Sequence, residues 1–301
     1  MTGTTKKTGG GVLPQKEKGF VSIRVRAPAG VLTAEQMEAV AAVSRRFGRG
    51  DVALTLRLNA EVPWVRREDV PAAVEALEHA GLAVGSTGAT VRSVVACKGT
   101  FCRHGIVDTQ ALARAVEESV GGRALPRKLK IAIAGCPNNC ARVRFNDIGL
   151  MGEAYPVFDP ETCTLCGACA RVCREGGVAV VDDRVCFSAD ACIGCGDCIA
   201  ICPAGAVTAE TEGVVVYLGG MAGRHIRTGV RAAGPLAPGD LPAFVGGVID
   251  YFACHAEKGE RFGNMMDRIG EEEVVSDLTR PVPGRSSGEH GQYRSPDVSR
   301  R

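Results

Sequence analysis

The spacing of the cysteines constrains this chain more than any other feature of its sequence. Nine of the fourteen cysteines lie between residues 159 and 207, and eight of these fall in two similar segments, ETCTLCGACARVC and DACIGCGDCIAIC. Each segment has C-x2-C-x2-C-x3-C spacing, and Pro203 follows the second. The residues before position 20 lack the apolar core of a signal peptide, so we expect a cytoplasmic chain. Thiols are kept reduced there, so these cysteines are expected to bind metal rather than form disulfides.

The two runs have the spacing of bacterial two-cluster ferredoxins, in which the fourth cysteine of each run binds the other cluster. The first [4Fe–4S] cluster is therefore predicted to use Cys163, Cys166, Cys169 and Cys202. The second is predicted to use Cys192, Cys195, Cys198 and Cys173. The alternative is a pair of structural zinc sites, which usually combine two close ligands with two distant ones. Cys186 fits neither run and is predicted to be a buried thiol.

Length and composition set broad limits on the rest of the chain. The 301 residues are enough for two or three domains, and 45% hydrophobic with 23% charged residues is typical of a globular protein. No apolar run approaches the ~20 residues that span a bilayer, so we expect no membrane span. A net charge of +2 gives no reason to expect nucleic acid as a partner.

The residues that flank the cysteine runs alternate between strand and helix patterns. The pattern predicts strands at 20–27 and 51–58, each followed by a helix, at 33–48 and 67–81. Thr33 and Gln36 form a capping-box pattern at the start of the first helix. Further on, a strand (90–97), a helix (108–122) and a strand (128–135) predict a βαβ unit. Beyond the runs, residues 213–229 resume a strand pattern followed by a glycine-containing loop, and residues 241–270 are predicted to be helical.

Four more cysteines follow the two strands of the predicted βαβ unit. One pair, Cys97 and Cys102, ends the first strand, and the other pair, Cys136 and Cys140, follows the second. Because parallel strands end at the same edge of a sheet, we expect the four thiolates to converge there. Zinc is again the alternative, since C-x4-C with C-x3-C does not by itself distinguish the metal.

Several motifs of the chain resemble the sirohaem-dependent sulfite and nitrite reductases. The resemblance covers residues 20 to about 278 and is greatest to the anaerobic sulfite reductase catalytic subunit and dissimilatory-like members with a ferredoxin insertion. It is carried by LTLR (54–57), VRSVVACKGTFC (91–102), LPRKLKIAIAGCPNNC (125–140), YLGGMAGRH (217–225) and GERFGNMMDRIG (259–270). The chain departs from the family in its first cysteine pair, which is C-x4-C where C-x5-C is usual.

The resemblance implies a role for each residue set. The four cysteines would bind a [4Fe–4S] cluster, with Cys140 bridging to the sirohaem iron, so we expect sirohaem and three [4Fe–4S] clusters in all. Substrate would be surrounded by Arg57, Arg92, Lys128 and Lys130. Residues 92–144 hold ten Lys or Arg against three Asp or Glu, which suits an anionic cofactor and an anionic substrate. Candidate contacts to sirohaem and its carboxylates are Arg103, Arg127, Asn139, Arg142 and Arg144.

The expected activity is six-electron reduction of sulfite to sulfide, with electrons arriving through the ferredoxin clusters. The alternatives are reduction of nitrite to ammonia and a non-catalytic sirohaem-binding or electron-transfer subunit. No G-x-G-x-x-G motif is present, so the electron donor is expected to be a protein, a ferredoxin or a reductase subunit. Many family members are duplicated whereas this chain is one half-length copy, so a homodimer or hetero-oligomer is also expected.

The fold class implied is α+β, a sulfite/nitrite reductase half-module with an inserted 2[4Fe–4S] ferredoxin domain. The expected boundaries are a disordered tail (1–19), a ferredoxin-like half-domain (20–86), the sirohaem and 4Fe–4S domain in two parts (87–158 and 208–277), the insertion (159–207) and a second disordered tail (278–301).

Overall fold

The first unit is a four-stranded antiparallel sheet covered by two helices. The computed structural model describes residues 10–85 and 87–280. Its first elements are β1 (Val12–Pro14), β2 (Phe20–Val25), α1 (Ala34–Phe47), β3 (Ala53–Leu54), β4 (Ala60–Arg66) and α2 (Val70–His79). The strand order is β1-β2-β4-β3, and valines from β2, β4 and α1 share one core. The predicted capping box is present, because Thr33 Oγ1 accepts from the Gln36 amide and Gln36 accepts from the Thr33 amide.

Two predictions for this unit are wrong. Residues 10–19 were predicted to be disordered, but Val12 and Leu13 pair with β2, whose edge would otherwise leave backbone groups without partners. The strand predicted at 51–58 is limited to β3, after which the chain turns at Leu58. The main strand is β4, and its alternating strand pattern is interrupted by Pro63 and by Trp64, which has a positive φ. Residues 1–9 lie outside the described part of the chain.

The second unit is a mixed five-stranded sheet with the order β11-β10-β7-β6-β5. Before the cysteine runs, this unit contains β5 (Val95–Ala96), α3 (Thr109–Val120), β6 (Ile131–Ala134) and β7 (Ile148–Phe158). Its remaining strands and helices follow the runs. Those runs contain α4 (Ala168–Val172), β8 (Val178–Val181), β9 (Arg184–Phe187) and α5 (Asp197–Ile201). The later elements are β10 (Val207–Leu218), β11 (Val230–Leu236), α6 (Leu241–His255), α7 (Phe262–Ile269) and α8 (Glu271–Thr279).

The βαβ prediction is confirmed, because β5 and β6 are parallel neighbours joined through α3. Side chains alternate across β6: Ile131 and Ile133 pack into the core beneath the helices, whereas Ala132 and Ala134 face the opposite side. The large residues therefore hold the helices, and the small ones leave room on the other face of the sheet. That second face is where the cysteine loops lie.

The cysteine-rich segment connects two neighbouring antiparallel strands. β7 and β10 pair along their whole length, and Phe158 at the end of β7 lies opposite Val207 at the start of β10. The two ends of the segment are therefore adjacent in space. Within it, α4 and α5 repeat the same local structure, since each begins after a glycine in the left-handed region, Gly167 and Gly196.

At the C-terminal side, α8 continues to Thr279, so the prediction that the disordered tail includes residues 278 and 279 is wrong. Residues 281–301 lie outside the described part of the chain. Across the described ranges, none of the helices is long and apolar enough to cross a membrane.

Candidate cofactor and substrate site

The four host cysteines surround one cavity of about 750 Å³ at the ends of β5 and β6. Cys97 and Cys102 lie on either side of a short turn, and Cys136 and Cys140 lie on the loop after β6. The Gly135 amide donates to Cys97 Sγ over 3.2 Å, so the two loops are in direct contact. Cys136 is buried and Cys140 is exposed.

Glycines allow these loops to approach each other. A methyl group at Gly135 would lie 2.9 Å from the Gly99 Cα, and one at Gly105 would lie 1.9 Å from the Gly99 carbonyl oxygen. Asn139 adopts a positive φ of 53°, and its Oδ1 accepts from the Val143 amide over 2.7 Å. The side chain of Asn139 therefore fixes the Cys136–Cys140 loop, while its neighbour Asn138 lines the cavity.

Two of the four predicted substrate residues, Arg57 and Lys130, line the cavity. The guanidinium of Arg57 is already held by protein: Nη1 donates to Asn146 Oδ1 and Nη2 to the Ser93 and Ile131 carbonyl oxygens. Burial lowers the pKa of Arg57 to about 10, so it remains a cation at neutral pH. Lys130 is half-buried, and burial, then Arg57 and Arg261, lower the pKa of its ammonium group.

The other two, Arg92 and Lys128, are not among the described residues that line the cavity. Arg92 Nη2 donates to the Gly88 carbonyl oxygen over 2.9 Å. Burial, followed by the charge of Arg261 and then of Arg92, lowers the pKa of Lys128. The predicted cations are therefore close enough for their charges to act on one another.

Sequence reasoning missed two residues here: Arg261, a further cation of this cluster, and Asp147, the carboxylate that pairs with it. Asp147 is fully buried, and its carboxylate accepts from Arg261 Nη2 at 2.9 and 3.0 Å and from the Lys130 amide at 2.8 Å. The pair joins the start of α7 to the start of β7, and the Lys130 amide ties the start of β6 to the same carboxylate. Arg261 lies inside the motif GERFGNMMDRIG, so that motif was the sequence signal from which it could have been found.

The candidate haem-carboxylate arginines have separate surroundings. Arg142 lines the cavity and has a left-handed backbone. Arg144 donates to Tyr217 Oη over 3.3 Å and its guanidinium lies 5.0 Å from that ring. Arg103 Nε donates to His104 Nε2, and Arg127 is exposed.

Cysteines from the two runs within residues 159–207 lie close to one another. Cys169, Cys173, Cys198 and Cys202 share one small core with Val178 and Val207, which brings the fourth cysteine of each run beside the other run. Burial, then Cys195 and Cys192, raise the pKa of the Cys198 thiol to about 12. Cys186 is exposed on β9, so its predicted burial is wrong: the two-stranded β8–β9 hairpin presents that side to solvent.

A second cavity joins the inserted runs to the host cysteines. Its lining includes four cysteines of the insertion, Cys173, Cys192, Cys195 and Cys198, together with the host residues His104, Cys136 and Asn138. His104 Nδ1 also lies 3.3 Å from Asp197 Oδ1, so a side-chain contact crosses the same boundary.

The family described as nitrite and sulphite reductase 4Fe-4S domain matches residues 87–284. This chain belongs to that family. A second family, the nitrite/sulfite reductase ferredoxin-like half domain, matches residues 13–80. The two matches correspond to the two sheets described above.

Named relatives and one solved structure of the family agree with this membership. The chain is 38% identical to the coenzyme F420-dependent sulfite reductase of Methanocaldococcus jannaschii over 86% of this chain and 42% of that protein. It is 33% identical to a subunit of the anaerobic sulfite reductase of Salmonella typhimurium over 54% of this chain and 52% of that one. Dissimilatory sulfite reductase I shares the fold, with a TM-score of 0.72 at 19% identity over 92% of this chain and 73% of that chain. The chain thus spans about half the length of the two curated relatives.

Membership of the nitrite and sulphite reductase family implies a 4Fe-4S cluster and sirohaem, and the residues present fit both. Among the described residues, no three Cys, His, Asp or Glu side chains converge closely enough to hold a single metal ion. A zinc ion needs its thiolates at about 2.3 Å. The four host cysteines instead surround a cavity with room for a larger group, lined also by cations that suit anionic carboxylates.

Proposed function

We propose that the chain reduces sulfite to sulfide, using sirohaem and a [4Fe–4S] cluster held by Cys97, Cys102, Cys136 and Cys140. The observation that carries the proposal is that all four cysteines and the cations Arg57 and Lys130 line one cavity. When bound, the coupled haem and cluster supply the iron that binds the substrate and the electrons that reduce it. Sulfite rather than another oxyanion is supported by the two curated relatives, both of which are named as sulfite reductases.

The protein's own residues bind the anion and supply protons. Lys130 directs a partly desolvated ammonium group to the cavity, where its charge binds an oxyanion more strongly than it would in water. A lysine with a lowered pKa is also a better proton donor near neutral pH. Lys128 and Arg261 lie close enough for their positive charges to lower the pKa of Lys130, and the charge of Arg92 acts in the same way on Arg57.

We further propose that residues 159–207 are an inserted ferredoxin domain with two [4Fe–4S] clusters, three per chain in all. The motif spacing supports this, as does the grouping of Cys169, Cys173, Cys198 and Cys202 in one core. The cluster of Cys192, Cys195, Cys198 and Cys173 would be the inner one, because its cysteines share a cavity with Cys136. Electrons would then pass from the outer cluster to the inner one and on to the host cluster.

The partners follow from the same proposal. A chain that carries its own one-electron relay but no dinucleotide motif is suited to a protein donor, a ferredoxin or a reductase subunit. A second copy or another subunit is proposed as a further partner, since the relative from Salmonella typhimurium is named as a subunit of its enzyme.

Two cysteine substitutions in anaerobically purified protein test whether Cys140 serves the haem and Cys195 serves electron entry. Cys140→Ser should remove the haem or uncouple it from its cluster, seen as loss or change of the haem absorption. Cys195→Ser should keep the haem but stop reduction by a protein donor, while a small strong reductant still supports sulfite turnover. Equal loss of haem from both variants, or tightly bound zinc without haem absorption in the wild type, would contradict the proposal.

A further inference from the structure

A buried carboxylate lies in the sheet beneath the inserted cysteine runs. Glu153, on β7, is 2% exposed. It accepts hydrogen bonds from Tyr155 Oη at 2.6 Å, Tyr217 Oη at 3.0 Å and Arg231 Nη1 at 2.8 Å. The donors come from β7, β10 and β11. A side chain that accepts from three donors, one of them an arginine, is an ionised carboxylate.

This carboxylate lies against the loop that carries Cys192 and Cys195. The Ala154 amide donates to the Gly194 carbonyl oxygen over 2.8 Å, and Ala154 forms a parallel bridge with Cys195. Gly194 has a φ of +68°, and a methyl group there would lie 2.9 Å from the Tyr155 ring and 3.2 Å from Glu153 Cβ. The backbone of this loop therefore packs directly on Tyr155 and Glu153.

A buried charge beside this loop would affect how easily an iron–sulfur cluster bound by the loop is reduced. Reduction adds one electron, and therefore one negative charge, to an iron–sulfur cluster, and nearby net charge is one of the factors that set its potential. Coulomb interactions are weakly screened in a buried site. Among the described residues, those that line the host cavity do not include Glu153 or Arg231, whereas Glu153 lies directly against Gly194 in the loop of Cys192 and Cys195.

We propose that Glu153 and Arg231 together set the reduction potential of the inner ferredoxin cluster, the one held by Cys192, Cys195, Cys198 and Cys173. Glu153 disfavours the reduced cluster and Arg231 partly offsets it. The two tyrosines, whose pKa values are raised by burial and by Glu153, stay protonated and hold the carboxylate in place. A lower potential at the inner cluster favours onward transfer of the electron to the host cluster. The inference rests on the two-cluster insertion proposed above.

The test is a redox titration of the holoprotein, followed by the paramagnetic resonance signals of its reduced clusters. Glu153→Gln removes the charge with little change of shape and should raise the midpoint potential of one cluster. Arg231→Gln should lower the potential of the same cluster, and Arg231→Lys should restore it. A defect of packing alone would not give shifts of opposite sign.

The outcomes separate the inference from the proposed function. A wild-type protein without ferredoxin-type cluster signals overturns the proposed insertion. Three cluster signals with unchanged potentials, or with shifts of the same sign in the two variants, overturn the inference and leave the function intact. If Glu153→Gln does not fold, Arg231→Gln decides the question alone: a downward shift that Arg231→Lys reverses supports the inference, and an unchanged or raised potential overturns it.

Discussion

Arg57 shows how one residue acquires a role that its motif does not reveal. The family resemblance implies contact with substrate, yet both terminal nitrogens of its guanidinium donate to Asn146, Ser93 and Ile131. Those acceptors belong to the second unit, whereas Arg57 belongs to the first. Arg57 therefore fastens the two units together at the cavity, and its buried Nε has no hydrogen-bond partner among the described residues.

Arg57→Gln should lower the stability of the protein, because it leaves buried acceptors from the second unit without their charged donor. The loss of one hydrogen bond to a charged group costs about 1.5–3 kcal/mol. The measurement is the free energy of unfolding by denaturant. Arg45→Gln, at an exposed position on α1, is the matched control and should change it by about 0.5 kcal/mol at most. Equal stability of the two variants would show that Arg57 does not join the units.

Lys130→Asn should reduce kcat/KM for sulfite by about ten- to hundredfold, since a charged hydrogen bond in a partly desolvated site contributes about 1.5–3 kcal/mol. Nitrite carries less charge than the sulfite dianion and should lose less, so the ratio of nitrite to sulfite activity should rise. Steady-state kinetics on both anions with a viologen donor measure the ratio. Lys18→Asn, an exposed lysine between β1 and β2, is the control. An unchanged ratio with normal haem content would remove Lys130 from the substrate pocket.

At the scale of elements, the ends of β5 and β6 bring the four host cysteines together. The two strands are parallel neighbours, so both cysteine loops leave the sheet at the same edge. The loops then touch through Gly99 and Gly135, where backbone packs on backbone. A side chain at either position would separate the two cysteine pairs.

Gly135→Ala should therefore impair cluster assembly more than folding, because a methyl group 2.9 Å from the Gly99 Cα forces the loops apart. Iron and acid-labile sulfide per chain should fall by about one [4Fe–4S] cluster, and haem should be lost with it. Gly246→Ala is the control: it lies in α6 with open space around it and should be neutral or stabilising by up to about 1 kcal/mol. A full iron content in Gly135→Ala would argue against a cluster between these loops.

For the whole molecule, the arrangement of the large sheet decides how an added segment can be accommodated. β7 and β10 form a long antiparallel pair, and the cysteine-rich segment leaves from Phe158 and returns at Val207, which are direct partners. Such a connection changes the sheet little whatever its length. The α3, α6, α7 and α8 helices pack on the other face of the sheet, and the first residue of α3, Thr109, donates a hydrogen bond to the Cys97 carbonyl oxygen at the edge of the sheet.

Replacing residues 159–206 by an Asn-Gly turn should leave a folded host domain, since that dipeptide suits a two-residue hairpin. Iron content should fall from about thirteen atoms per chain to about five, the host cluster and the haem iron remaining. Sulfite turnover should persist with a small reductant and cease with a protein donor. Loss of haem, or an iron content that does not fall, would show that the segment is not an independent insertion.

The sequence predicts local structure where the signal is local. The capping box at Thr33, the βαβ unit and the spacing of the cysteine runs depend on residues close together in the chain, and the first two are confirmed in the structure. The strand β7 gives no comparable signal, because it is buried on both faces for nine residues and its side chains do not alternate between apolar and polar. The edge strand β1 was missed for a related reason. Its own residues have no clear strand pattern, and the segment is a strand because it pairs with β2.

What only the tertiary structure decided is which charged groups meet. Asp147 and Arg261 are 114 positions apart, and Glu153 and Arg231 are 78 apart, yet each pair is in contact in the folded chain. Charge acts through space, so a one-dimensional pattern can predict that a basic pocket exists but cannot say which carboxylate neutralises which arginine. Cysteine spacing predicts cluster ligands because one loop has to wrap one cluster, whereas these buried ion pairs join strands and helices that only folding brings together.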